Sequence, residues 1–261
     1  MFKVPFLYLT KLVEAFFRMP FMRRLAGKFP RLFSFIKNRF KPGVFFGLPF
    51  TVILLLIGVN LMMLSELAEH TVNSETFKEV DMQVTAWFFD LRTPFLNKAF
   101  YYFTQIGTVY GVTAVTVIAG LVLLWQRRGF HLLALLISVL GSSLSMYYSK
   151  IYFHRERPLN VAYYTPENSF SFPSGHATSA MALAGLLCYF FLIEIENKKL
   201  RLALFLLGVS YILLIGLSRI YLGVHFLTDV TAGYLLGLIW VIVAIGIMEY
   251  SAISKVKHKM E

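Results

Sequence analysis

The chain is poor in cysteine and in charge. Its one cysteine, Cys188, among 261 residues excludes an intrachain disulfide framework and a cysteine-based metal cluster. Charged residues make up 15%, against about a quarter in an ordinary soluble domain. Acids are scarcer than bases, 14 to 25, and they form no carboxylate cluster suited to magnesium or calcium. No N-x-S/T sequon occurs, so the chain carries no N-glycan acceptor. There is no internal repeat and no low-complexity segment.

What is abundant is apolar. Hydrophobic residues reach 57% and the mean hydropathy is +0.66, which reads as a polytopic membrane protein. The length fits one all-α membrane domain of six spans and leaves little for a soluble one. The formal charge of +11 falls mostly in the N-terminal arm and short loops. That favours anionic lipid over nucleic acid as the partner.

Three parts follow. Residues 1–41 form a basic, aromatic arm in which ten cations, from Lys3 to Lys41, face one acid, Glu14. Pro20 and Pro30 break it into short pieces, and it reads as an interfacial amphipathic segment. No cleavable signal peptide is expected, because no single apolar core with a small-residue cleavage site follows the basic region. Residues 42–250 hold six apolar segments, approximately 44–65, 100–125, 129–149, 173–193, 202–222 and 228–248. Each is near the ~20 residues that cross a bilayer. Residues 251–261 are a basic tail. Between the first two segments, Thr85 to Leu91 suggests a helix lying on the outer interface.

Loop charge orients the spans. The arm, Gln126-Arg127-Arg128, the loop from Glu194 to Arg201 and the tail fall inside. Glu66, Glu69, Glu75, Glu79 and Asp81 fall outside, so both termini are expected to be cytoplasmic. The loop 150–172 is outside in this scheme yet carries Lys150, His154, Arg155 and Arg157. Binding something anionic would explain it.

Three polar clusters then share the outer face: K-I-Y-F-H-R-E-R-P (150–158), F-P-S-G-H-A-T-S (172–179) and S-R-I-Y-L-G-V-H-F-L-T-D (218–229). Lys150, Arg157 and Arg219 are fixed cations, and the arginine fork suits tetrahedral oxyanions. Pro173 fits a helix first turn, so that Ser174, Gly175 and His176 would present free amides to an anion. His225 and Asp229, four apart, share a helix face. The carboxylate can hold one imidazole nitrogen protonated and leave the other to attack. His176, from another helix, can protonate a leaving oxygen. Phosphoryl transfer to water through a phosphohistidine uses all of these groups and needs no metal or other cofactor.

K-x6-R-P, P-S-G-H and S-R-x5-H-x3-D, in this order, resemble the three-part signature of the type 2 phosphatidic acid phosphatase superfamily. The resemblance covers roughly residues 80–250 and fills every signature position. It implies a six-helix membrane core, nucleophilic His225 oriented by Asp229, acid catalysis by His176, and phosphate binding by Lys150, Arg157, Ser174, Gly175 and Arg219. It leaves the arm unexplained. Bacterial members act on phosphatidylglycerophosphate, phosphatidic acid, lysophosphatidic acid, diacylglycerol pyrophosphate and undecaprenyl diphosphate, which makes a lipid phosphate the expected substrate. Two alternatives stay open: a phosphotransferase passing the group to another lipid, and a non-catalytic lipid-phosphate binder or transporter. A soluble haloperoxidase, known in the superfamily, is set aside by the six spans. His154, Arg155 and Glu156 occupy unfixed positions of the first motif; they either touch substrate or, for Arg155 with Glu156, form a solvated pair, and the second reading is favoured. Tyr152, Tyr163 and Tyr164 read as interface markers. No role is expected for His70, His131 or His258.

Overall fold

The computed structural model describes residues 15–40, 46–164 and 169–258. Residues 1–14 and 41–45 of the arm, with Lys3, Lys11, Glu14 and Lys41, lie outside the described residues, as do 259–261 and the tail side chains beyond Ser251. Among the described residues the regular structure is helical throughout, and no strand is present. The helices are α1 (Pro20–Lys28), α2 (Pro30–Arg39), α3 (Leu48–Asn73), α4 (Glu75–Asp90), α5 (Pro94–Thr104), α6 (Val109–Trp125), α7 (Gly129–Phe153), α8 (Gly175–Glu194), α9 (Lys198–Tyr221) and α10 (Leu227–His258).

Among the described residues, five helices are long and apolar enough to cross a bilayer: α3, α7, α8, α9 and α10. A sixth span forms if the pair Pro94–Gly107 and Val109–Trp125, bent by 48°, is counted as one. This corrects the straight segment 100–125 expected from hydropathy. The helix starts earlier, where Thr93 accepts from the Leu96 amide at 3.2 Å ahead of Pro94. It then breaks at Thr108, whose extended backbone caps α6. The break follows a short turn, Gln105–Gly107. At Gly107 a Cβ would stand 3.1 Å from Ile215 and 3.2 Å from the His176 ring, so glycine lets this turn press against α8 and α9.

The chain divides into two compact units, residues 59–245 and residues 1–58 with 246–261. In the smaller unit, Phe17 is buried and meets Phe33 and Phe40 edge-on at 5.8 and 5.6 Å. Arg39 donates to the Phe46 carbonyl at 3.1 Å and lies over the Phe50 ring. In the arm, α1 and α2 each open at a proline, Pro20 and Pro30, where the sequence suggested a break.

In the larger unit α8 is central. Half of its most apolar stretch is buried, against 11% for α3. Leu61, Met62, Met63, Ile118, Leu121 and Trp125, on α3 and α6, are exposed, as lipid-facing side chains are. The contact that positions the site is between α8 and α10. A Cβ at Gly233 would come within 2.7 Å of the Ser174 carbonyl, and one at Gly237 within 2.6 Å of the Thr178 carbonyl. Two glycines four apart thus bring the backbones together, as small residues do between membrane helices. The beginnings of α8 and α10, which carry two of the three motifs, are fixed side by side.

Candidate active site

Three connections feed one cavity. The loop after α7 carries Arg157. The segment before α8 ends at Ser174, the N-cap of that helix. Between α9 and α10 the chain turns through Gly223 in the left-handed region, φ 68°. A side chain there would be strained and would meet the Val161 carbonyl at 2.5 Å. That turn brings Arg219, in the last turn of α9, and His225, just before α10, to the same side.

Lys150, Arg157, Gly175, His176, Arg219 and His225 line a cavity of about 270 Å³. Tyr101 and Tyr164 form an aromatic part of its wall, their rings edge-to-face at 5.3 Å. The Arg219 guanidinium lies 5.8 Å from the Tyr164 ring and donates to Thr104 at 3.1 Å. Tyr164 therefore belongs to the cavity as well as to the loop, more than an interface marker. Lys150 Nζ lies against the Phe170 carbonyl. Arg157 is braced by the Ser169 carbonyl at 3.0 Å and the Val224 carbonyl at 2.8 Å.

The hydrogen bonds of His225 define its tautomer. Arg157 Nη1 lies 3.1 Å from Nε2. A guanidinium only donates, so Nε2 is the accepting, lone-pair nitrogen and the proton sits on Nδ1. Nδ1 lies 3.4 Å from Asp229 Oδ2 and 3.3 Å from Ser171 Oγ. Ser171 Oγ also donates to Asp229 Oδ2. Burial, and then Arg157, Arg219 and Lys150, push the His225 imidazole well below its ordinary value of 6.5. The ring is neutral at pH 7, with its free electron pair toward the cations. On the facing helix, His176 Nε2 is buried without a hydrogen-bond partner, a group that needs one.

The remaining two of the eight predicted residues stand behind the wall. Asp229 is fully buried behind His225. Ser174 is also fully buried, and its amide donates to the Asp229 carbonyl at 2.9 Å. This corrects the expectation that the Ser174 amide is free for an anion, since it ties α8 to α10 instead. Pro173 precedes the cap rather than opening the helix. The amides of Gly175 and His176 are the first of α8 and have no carbonyl four residues back within the helix.

The expected Arg155–Glu156 solvated pair is also corrected. Glu156 is exposed, while Arg155 turns inward to Asp81 at 2.7 Å and Asp229 at 2.5 Å. Asp81, one of the acids expected on the outer side, is fully buried in α4. Sequence reasoning missed Asp81, Arg155, Ser171 and Thr228. The one available signal was a third cation in the 150–158 motif in excess of the two assigned to phosphate.

Residues 130–253 match the PAP2 superfamily. Phosphatidylglycerophosphatase B of Bacillus subtilis (strain 168) is 33% identical over 151 residues, 57% of this chain and 73% of that protein. The chain belongs to the PAP2 superfamily. Its fold is similar to the crystal structure of a transmembrane PAP2 type phosphatidylglycerolphosphate phosphatase from Bacillus subtilis, with a TM-score of 0.68 and 27% identity. The match covers 74% of this chain and 96% of that one. A multi-pass membrane phosphatase of this superfamily is thus the coarse identity of the chain.

Proposed function

We propose that the protein removes the terminal phosphoryl group of a lipid phosphate at the outer face of the cell membrane, without a metal ion. One observation carries the reading: two imidazoles and three side-chain cations line one cavity, with the neutral Nε2 of His225 facing them. In the first step Nε2 forms a bond to phosphorus as the bond from phosphorus to the lipid oxygen breaks. That oxygen leaves with the proton of His176. In the second step water attacks the phosphohistidine, giving a proton to His176 and releasing inorganic phosphate with His225 restored. Lys150, Arg157, Arg219 and the first α8 amides meet the charge on the phosphoryl oxygens. Asp229 stabilises the charge that forms on His225.

The similarity to a phosphatidylglycerophosphatase supports phosphatidylglycerophosphate as one substrate, and undecaprenyl diphosphate is the other to test first. The outer-face placement is supported by the loop-charge asymmetry, which puts the basic arm, residues 126–128 and the tail on the cytoplasmic side. The exposed Arg24, Lys28 and Arg31 beside exposed Phe21 and Phe29 support an arm lying on anionic lipid.

The test is release of inorganic phosphate from phosphatidylglycerophosphate, phosphatidic acid and undecaprenyl diphosphate by the full chain in detergent, with EDTA. Release from at least one is expected. No release from any, with folded protein, would overturn the reading. Transfer of labelled phosphate to a second lipid with no free phosphate would make the protein a phosphotransferase.

A further inference from the structure

Two carboxylates, Asp81 and Asp229, are fully buried near one another. They come from positions far apart in sequence, on α4 and α10. Two unscreened carboxylates in a low-dielectric interior do not both stay ionised. A single guanidinium resolves the conflict. Arg155 Nη2 donates to Asp81 Oδ2 at 2.7 Å, and Nη1 donates to Asp229 Oδ1 at 2.5 Å and to Thr228 Oγ1 at 2.8 Å. Its planar group also lies 4.4 Å from the Phe226 ring. Asp81 is held in turn by the Thr228 amide at 3.1 Å and hydroxyl at 2.5 Å.

The two oxygens of Asp229 are thereby divided. Oδ1 takes Arg155. Oδ2 takes the Ser171 hydroxyl and the Phe226 amide, the latter at 2.9 Å, and it is the oxygen facing His225. With Oδ1 pinned from behind, Oδ2 has one orientation. Two carboxylates and one guanidinium leave a net charge of −1 behind the imidazole. We propose that Arg155 is a positioning residue for phosphoryl transfer, holding the Asp229 carboxylate aimed at His225, and that Asp81 and Thr228 hold Arg155 in place. The inference rests on the phosphatase reading for its kinetic consequences, whereas its effect on the imidazole does not.

The rival account is a brace that fastens α4 to the loop and has no influence on His225. Four full-chain variants separate them: Arg155→Met, Arg155→Lys, Asp81→Asn, and the double variant Asp81→Asn/Arg155→Met. Arg155→Met lowers kcat about 10- to 100-fold, the scale for groups that orient a reacting one through hydrogen bonds, with KM within about threefold. Arg155→Lys restores part of the loss, because one ammonium keeps the charge but cannot fork to both carboxylates. The double variant recovers activity relative to Arg155→Met, because it removes the facing carboxylate together with the guanidinium and so returns the formal charge behind the imidazole to −1.

A second readout needs no substrate. In protein labelled with 15N-histidine, the His225 resonances, assigned by loss in His225→Gln, report an unprotonated Nε2 in the wild type. Arg155→Met mixes the tautomers. Asp81→Asn moves the His225 titration to lower pH, because Arg155 then acts wholly on Asp229. The other charged and titratable groups facing His225, namely Arg157, Lys150, Arg219 and His176, are unchanged in all four variants. A kcat for Arg155→Met within about twofold of wild type overturns the proposal. So does an unchanged His225 tautomer in a variant whose melting temperature has fallen. If wild type releases phosphate from no lipid, the phosphatase reading falls and the tautomer still decides the positioning role.

Discussion

Among the described residues of the larger unit, three histidines pair with a carboxylate, and the two less exposed pairs bear comparison. In one, His225 Nδ1 lies 3.4 Å from Asp229 Oδ2. In the other, His131 Nε2 lies 2.7 Å from Glu194 Oε1, with Arg128 also on that carboxylate. By distance alone the second is the better pair. They differ in burial and in surroundings. Asp229 is fully buried and Glu194 is 27% exposed. The second nitrogen of His225 faces Arg157 and a cavity with three cations. The groove beside His131 is mostly apolar, with Leu187, Phe190, Phe191 and Ile195, and its one cation, Arg128, is already paired with Glu194. An imidazole bound to a carboxylate is therefore no site by itself; the burial and the cations around His225 set that pair apart.

The strongest way to break this comparison is to remove the proposed nucleophile. His225→Ala should cut phosphate release at least ~10⁴-fold, the scale for loss of a covalent nucleophile, while lipid still binds. Turnover within tenfold of wild type would end the phosphohistidine mechanism. His176→Ala should cost about 10²–10⁴-fold on a lipid alkoxide leaving group, the range for general acid catalysis. It should cost far less on a nitrophenyl phosphate ester, which leaves without a proton. Equal losses on both substrates would remove His176 from the acid role.

Much of this was legible in advance because the chemistry is local in sequence. His225 and Asp229 are one helical turn apart, and Ser218-Arg219, Lys150 and Arg157 sit at span ends that alternation across a bilayer returns to one side. What was not legible is nonlocal. Asp81 and Arg155 are 74 residues apart, and Asp81 and Thr228 are 147 apart. Asp81 lies in a polar connection where an acid costs nothing on the surface, so pattern favours exposure. Burial there follows from the packing of α4, which composition does not encode. The break at Thr108 was hidden for a related reason. Gly107 and Thr108 are ordinary inside a membrane helix, and only the approach of Ile215 and His176 to Gly107 makes a turn fit there.

A smaller effect sharpens the comparison through pH. Burial and three cations hold His225 neutral, so its folded-state value lies below the unfolded one of 6.5. Stability linked to this group is then fully present above pH 6.5 and is lost as pH falls from there through the folded-state value, because the unfolded chain takes up the proton first. The His225 nitrogen resonances should accordingly titrate below pH 6.5, and Arg157→Gln should move the midpoint upward by removing the nearest cation. A midpoint above 6.5 in the wild type would mean that Asp229 outweighs the three cations, and the resting nucleophile would be protonated.

The smallest effect is expected at the other pair. His131→Gln keeps a donor for Glu194, and Arg128 still neutralises the carboxylate. The His131 side chain is 19% exposed, so the pair is partly screened and worth about 0.2–1 kcal/mol at most. Phosphate release by His131→Gln should stay within about twofold of wild type at pH 7, with a melting temperature lowered by a few degrees or less. His131 also packs on the Phe190 ring at 5.0 Å, and glutamine keeps only part of that contact, which sets the sign of the stability change. A hundredfold loss of turnover in folded His131→Gln would show that the two ends of α8 are energetically linked, since that helix carries His176 at one end and Glu194 at the other. The contrast between the two imidazoles would then need a second cause beyond burial and the cations around His225.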